Sequence, residues 1–240
     1  MGTNNPQVIE AFTFRGHVFR ASTRETFAQH PSWWSHIDEA TVREAMWHIN
    51  PGDVILDVGA AYGSYTLTAL ACGAAYVYAW SPEGPPGEEP EAQLLKESLD
   101  LNDWQDRCSV FTTGCYSKNG TLNTRTQEFI ECNDLTPGPN PVPPYIDVRR
   151  IDDIVLGFGV WPKDNASTWM KLDVEGAEVE VLKGAEKFIA SRRPKIQVEN
   201  HLFIRSTLGQ EVRDLLEDWG YTHVRTDPYH SVSHSLYLPK

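Results

Sequence analysis

Two groups of residues in this chain have the types and spacing that chemistry requires. The first is Asp57-Val58-Gly59-Ala60-Ala61-Tyr62-Gly63, an acid followed by a Gly-x-x-x-Gly turn. Gly59 permits a sharp turn after a strand, and Gly63 lets the next helix pack closely, with its unpaired N–H groups facing the crevice. A dinucleotide-binding turn would carry another glycine where Ala61 stands, so a pyrophosphate is disfavoured. An acid two residues before the first glycine suits instead a ligand with a cationic amino-acid end. The second group is Lys171-Leu172-Asp173-Val174-Glu175-Gly176-Ala177-Glu178 together with Glu199-Asn200-His201.

Asp173 and Glu199-Asn200-His201 close two expected strands, and the carboxyl ends of parallel strands are where such sheets hold ligands. His201 titrates near neutral pH and is the first candidate for a general base, the alternative being a structural histidine after a strand. Asp173 either orients an acceptor or meets a cofactor amine, and Glu199 completes the catalytic set. Paired carboxylates suit Mg²⁺, but the sequence offers no full ligand set, so no metal is expected. Glu175 and Glu178 have a simpler role, offsetting the positive end of a helix.

These residues need a scaffold, and its elements read in order. Residues 8–20 alternate apolar and polar about Gly16, a hairpin pattern, and a helix is expected over 39–49. Trp33 and Trp34, on the loop between, either anchor this segment or form a substrate wall. Val54 to Val58 is apolar enough for a strand covered on both faces. Strands at 75–80 and 107–113 alternate with helices at 64–72 and 91–101, which makes a parallel sheet the natural arrangement. Residues 118–146 carry a proline run, Thr136 to Pro144, that forbids a regular element there. A strand ending at Asp173, a helix over 177–190, a strand at 195–201, a helix over 208–219 and a final antiparallel edge pair, 221–226 and 233–238, complete the chain. The expected division is an N-terminal hairpin-and-helix extension, 1–50, which could close over a substrate, and a catalytic domain, 51–240, with the proline-rich insertion at about 118–146.

Composition narrows the function. The 240 residues are 40% hydrophobic and 22% charged, as in a globular protein, with a formal net charge of −12 that repels a phosphate backbone. No nucleic-acid partner is expected, and with neither a long apolar run nor a signal peptide, no membrane partner either. The four cysteines, Cys72, Cys108, Cys115 and Cys132, lack metal-ligand spacing and read as reduced thiols of a cytoplasmic protein.

The order and spacing of the Asp57–Gly63 block, the Lys171-Leu172-Asp173-Val174-Glu175-Gly176-Ala177-Glu178 block with Leu182-Lys183-Gly184-Ala185, and Arg193-Pro194 with Glu199-Asn200-His201 resemble the FkbM family of class I S-adenosylmethionine-dependent methyltransferases. The resemblance runs from about Gly52 to His201. It implies a doubly wound, Rossmann-like α/β sheet of seven strands, the last antiparallel, one S-adenosylmethionine per chain, and O-methylation of a small molecule or sugar. By position, Asp57, Gly59, Ala60 and Gly63 would line the methionine end of the cofactor. The family's second strand ends in an acid before proline that bonds the ribose; here Ser81 precedes Pro82, with Glu83 as a substitute two residues on. Thr113, Gly114 and Cys115 fall where adenine would be read.

The function expected is therefore in-line methyl transfer from S-adenosylmethionine to a hydroxyl of a small-molecule or glycan acceptor. Ser81 keeps open a non-catalytic methyltransferase-like binding module. A dinucleotide-dependent oxidoreductase is the other alternative, opposed by Ala61 and by the Asp173 block.

Overall fold

The structure is a computed structural model that describes residues 7–12, 18–23, 48–82, 90–126, 128–131, 145–156, 167–229 and 232–240. Residues 39–47 of the expected 39–49 helix, with Trp33, Trp34, Glu83, Cys132 and the proline run, lie outside the described residues, and His48 and Ile49 are not helical.

The first central strand, β3 (Val54–Val58), is buried along its whole length. Successive side chains of a strand face opposite ways. Val54, Leu56 and Val58 accordingly enter one hydrophobic core and Ile55 enters the other, on the opposite face of the sheet. On one side β3 pairs in parallel with β4 (Tyr76–Trp80), which pairs in parallel with β5 (Cys108–Phe111). On its other side lies β10 (Thr168–Leu172), followed by β11 (Lys195–Asn200), again parallel. The last strand in sequence, β13 (Val232–Pro239), inserts antiparallel beside β11, leaving β12 (Tyr221–Tyr229) at the edge. The seven-stranded order is thus β12-β13-β11-β10-β3-β4-β5, the class I methyltransferase arrangement.

Helix α1 (Ser64–Ala71) follows β3 and α2 (Glu91–Leu101) follows β4. The helix expected over 177–190 is two helices, α3 (Glu178–Gly184) and α4 (Glu186–Arg192). The break has a cause in side-chain chemistry: the Asp152 carboxylate accepts the N–H groups of Lys187 and Phe188 at 3.1 and 2.8 Å, capping α4 from outside. Helix α5 (Leu208–Asp218) precedes β12.

The expectation that residues 118–146 contain no regular element is corrected at both ends of that stretch. Strands β7 (Gly120–Asn123) and β8 (Phe129–Glu131) form a hairpin, and β9 (Tyr145–Arg149) joins β7 and β6 (Gly114–Cys115) in a separate four-stranded sheet. The turn after β7 is held by Asn123, whose Oδ1 accepts from the N–H groups of Arg125 and Thr126. Prolines forbid only the positions they occupy.

The N-terminal strands β1 (Gln7–Phe12) and β2 (Val18–Thr23) form the expected hairpin. Phe19 and Ala21 are buried in the second core, and the Ser22 N–H and hydroxyl donate to Ser98 and Glu97 of α2 at 2.8 and 2.7 Å. Cys72, Cys108 and Cys115 are buried free thiols. No helix among the described residues is long and apolar enough to cross a membrane.

Candidate functional site

The turn after β3 is built by its neighbours. The N–H groups of Gly59 and Ala60 both donate to the Trp80 carbonyl of β4, at 3.1 and 2.8 Å. These two amides therefore fix the loop to the sheet. Gly59 has φ +87°, and a Cβ there would lie 1.7 Å from the Asp173 carbonyl oxygen, so the β3 and β10 loops touch backbone to backbone. At Gly63 a Cβ would meet the Leu95 side chain of α2. Helix α1 begins with no side-chain cap and no acid in its first turn, which leaves its positive end available to an anionic or polar group.

Asp57 is fully buried beneath this turn. Thr66 Oγ1 of α1 donates to its Oδ2 at 2.6 Å, and Lys171 Nζ stands 3.3 Å from its Oδ1. Both oxygens of Asp57, expected at the methionine end of the cofactor, thus have internal partners. Lys171 also donates to the Gly59 carbonyl at 2.6 Å and pairs with Asp173 Oδ2 at 3.3 Å. Burial alone would lower the lysine pKa, but the charges of Asp173, Asp57 and Glu199 outweigh it and raise it. One cation thus joins Asp57, the glycine turn and Asp173.

Farther along the sheet edge, Ser81 follows β4 and Thr113 follows β5. Their Oγ and Oγ1 atoms are buried with no hydrogen-bond partner among the described residues. Orphaned hydroxyls at adjacent strand ends fit a ligand that brings its own hydroxyls or ring nitrogens. Gly114 lies against Ile146 and Val148 of β9, and Cys115 is buried in the main core, its thiol pushed up by burial.

The second group converges on His201. Its imidazole is 3% exposed, with Nδ1 2.8 Å from Glu178 Oε1. The same Glu178 oxygen accepts from the Gly176 N–H at 3.1 Å, so one fully buried carboxylate holds both the β10 turn and the histidine ring. That turn is strained: Glu175 has φ 53° and Gly176 φ 96°. Nε2 faces Glu175, Asp173 and Glu199, with oxygens at 3.5, 3.6 and 3.8 Å. Burial pulls the imidazole pKa down, but the Glu178 hydrogen bond and the charges of Glu175 and Asp173 overcome this and lift it to about 9. With its carboxylate neighbours outweighing burial, the ring is charged at neutral pH. Burial, and then the Asp173 charge, raises the Glu199 carboxyl. Phe203, 61% exposed, stands edge-on to the imidazole at 5.7 Å and gives the cluster an apolar rim.

A family model described as the methyltransferase FkbM domain matches residues 57–222. The chain belongs to the FkbM methyltransferase domain family. Among solved structures, the FkbM methyltransferase from Methylobacillus flagellatus is 21% identical, with a TM-score of 0.55 over 78% of this chain and 43% of that one. The chain therefore spans less than half of that relative, and the likeness at this identity is one of fold. Precorrin-6y C5,15-methyltransferase from Geobacter metallireducens is 13% identical, with a TM-score of 0.46 over 83% of this chain and 87% of that one. Magnesium protoporphyrin IX methyltransferase from Synechocystis, solved with bound SAM, is 12% identical, with a TM-score of 0.48 over 88% of this chain and 81% of that one. None of the curated proteins matches the sequence.

Within this FkbM domain the structure joins Asp173, Glu199 and His201 in one cluster and links Asp57 to it through Lys171. The sequence alone gives Lys171 no role and Glu178 only that of a helix-end charge. For Glu178 a signal existed: it stands three and four residues before Val181 and Leu182, on the helix face that is buried.

Proposed function

We propose that this FkbM-domain protein methylates a hydroxyl of a small molecule or sugar bound beside Asp173 and Glu199, with S-adenosylmethionine as donor. The observation that carries the reading is the meeting of the Gly59 turn and the Asp173 carbonyl. It brings the expected cofactor crevice into contact with a carboxylate pair at the ends of β10 and β11.

The donor, when bound, supplies an electrophilic methyl whose leaving group needs no proton. The residues present suit it: Ser81 and Thr113 offer unpartnered hydroxyls, and the part-exposed Asp173 carboxylate suits a cationic amine. Asp57 acts through Lys171 as a positioning residue. The chain must hold the acceptor oxygen in line and receive its proton as the new bond forms. That proton goes to Glu199, a stronger base than an ordinary carboxylate because its charged form is disfavoured by burial and by Asp173. His201, charged at neutral pH, stands beside it as a donor and not as the general base.

The test pairs calorimetry with a product assay. S-Adenosylmethionine should bind with about micromolar affinity, and a panel of hydroxylated acceptors should yield S-adenosylhomocysteine. Glu199→Gln should lower turnover roughly 100-fold while leaving donor affinity unchanged. Unchanged turnover in that variant would remove Glu199 as base. The Ser81 departure favours a second reading, a methyltransferase fold used for binding alone, and absent donor binding would select it.

A further inference from the structure

The two ring nitrogens of His201 have different surroundings. Nδ1 is committed to Glu178 Oε1 at 2.8 Å. Nε2 has only the oxygens of Glu175, Asp173 and Glu199 before it, at 3.5, 3.6 and 3.8 Å, at or beyond the outer limit of a hydrogen bond. A side chain only 4% exposed therefore aims a nitrogen, held by long ion pairs and no close hydrogen bond, into a gap lined with carboxylate oxygens.

Both carboxylates are oriented toward this gap by other partners. Asp173 gives Oδ2 to Lys171 at 3.3 Å and leaves Oδ1 toward Nε2. Glu199 gives Oε2 to His234 at 3.9 Å and leaves Oε1 toward Nε2. The ligand atoms of Asp173, Glu199 and His201 all lie within 4.8 Å of one another. Cation–ligand bonds of about 2.0–2.2 Å place neighbouring donor atoms on one ion roughly 3.0–3.6 Å apart. The two histidine distances, 3.6 and 3.8 Å, are within a few tenths of an ångström of that spacing, and the widest separation in the trio, up to 4.8 Å, exceeds it by about 1 Å, which rotation of the two carboxylate side chains closes. A histidine whose other nitrogen is held by a buried carboxylate is also the way proteins orient an imidazole ligand.

We infer that Asp173, Glu199 and His201 Nε2 form a binding site for one divalent cation, which displaces the Nε2 proton to solvent as it binds, with Glu178 as the residue that orients the imidazole. One nitrogen and two carboxylate ligands suit a first-row ion such as Mn²⁺ or Zn²⁺ better than Mg²⁺. Resting on the methyl-transfer reading, the open coordination positions would take the acceptor's hydroxyl oxygen.

The experiment titrates metal-stripped protein with MnCl₂ and with ZnCl₂, followed by calorimetry and, for Mn²⁺, by electron paramagnetic resonance. It contains neither donor nor acceptor, so a failed methyl-transfer assay does not touch it. The expected result is one ion per chain. Affinity should fall roughly 10- to 100-fold in Glu178→Gln and by at least that much in Glu199→Gln and Asp173→Asn. Glu211→Gln, which alters an exposed pair with Arg205, should bind as the parent does. Circular dichroism shows which variants are folded, and Glu199, part-exposed at the strand end, tolerates an isosteric amide best. Absence of saturable binding at millimolar Mn²⁺ and Zn²⁺ overturns the proposal. So does equal affinity in folded Glu199→Gln and Asp173→Asn.

Discussion

Lys171 and Asp57 sit opposite each other in the parallel register of β10 and β3, and their side chains meet with Nζ 3.3 Å from Oδ1 in the buried space below the glycine turn. Removing one partner leaves an uncompensated buried charge, which costs about 3–5 kcal/mol. Lys171→Met should therefore lower unfolding free energy by that amount in urea. The double variant Asp57→Asn, Lys171→Met should recover a large part of it, since no charge is then stranded. A loss below about 1 kcal/mol for Lys171→Met would mean that Asp57 is neutral or solvated in the folded protein.

The two glycines of the turn should respond differently to alanine. Both have positive φ, which costs an L-residue about 1–2 kcal/mol. At Gly59 the added carbon would also lie 1.7 Å from a backbone oxygen that β10 holds in place. At Gly63 the clash is with the end of the Leu95 side chain, which can rotate. Gly63→Ala should fold with a loss of about 1–3 kcal/mol. Gly59→Ala should lose at least twice as much or fail to fold, as urea denaturation would report. Equal losses would show that the Gly59 turn moves away from Asp173 freely.

The legible parts of this fold were those set by local pattern. An apolar run ending in Asp57 and two glycines announced β3 and its turn, and strand-helix alternation announced the parallel sheet. Contacts set by register across the sheet were not legible. Lys171 reads as an ordinary polar residue in a strand until β10 pairs with β3 and delivers it to Asp57. Asp152 gives no sign in sequence that it caps α4, some thirty-five residues on, and so the break at Ala185 was missed. Proline composition hid β7 and β8 because a stretch-wide average was read where the prolines occupy one end. At the site, Asp173, Glu199 and His201 are legible as strand-end residues, whereas the contact by which Glu178 holds the imidazole is set by packing between α3 and the end of β11.

Ser81 offers a test of the ribose contact that does not disturb the apo protein. Its Oγ is buried without a partner among the described residues, so deleting it removes no hydrogen bond within them. Ser81→Ala should leave the unfolding midpoint nearly unchanged. If that oxygen meets a ribose hydroxyl, donor affinity should fall about 5- to 10-fold, the worth of one hydrogen bond. Calorimetry on both proteins would check this. Unchanged affinity together with unchanged stability would take Ser81 out of the cofactor site.

His201 predicts a pH dependence of stability in the metal-free protein. Its folded pKa of about 9 lies above the ordinary value of 6.5, because Glu178 and the surrounding carboxylates favour the charged ring more than burial disfavours it. Below about pH 6.5 both folded and unfolded chains hold the proton, and the full stabilisation is present. As pH rises through about 9 the folded ring loses its proton and that contribution, of the order of 3 kcal/mol, disappears. The quantity to measure is the difference in unfolding free energy between the parent and His201→Gln, in EDTA, from about pH 6 to about pH 10. The difference isolates His201 from the other titrating groups and should shrink toward high pH. A difference that stays constant across that range would mean that the ring is neutral in the folded protein, and His201 would return as a candidate base.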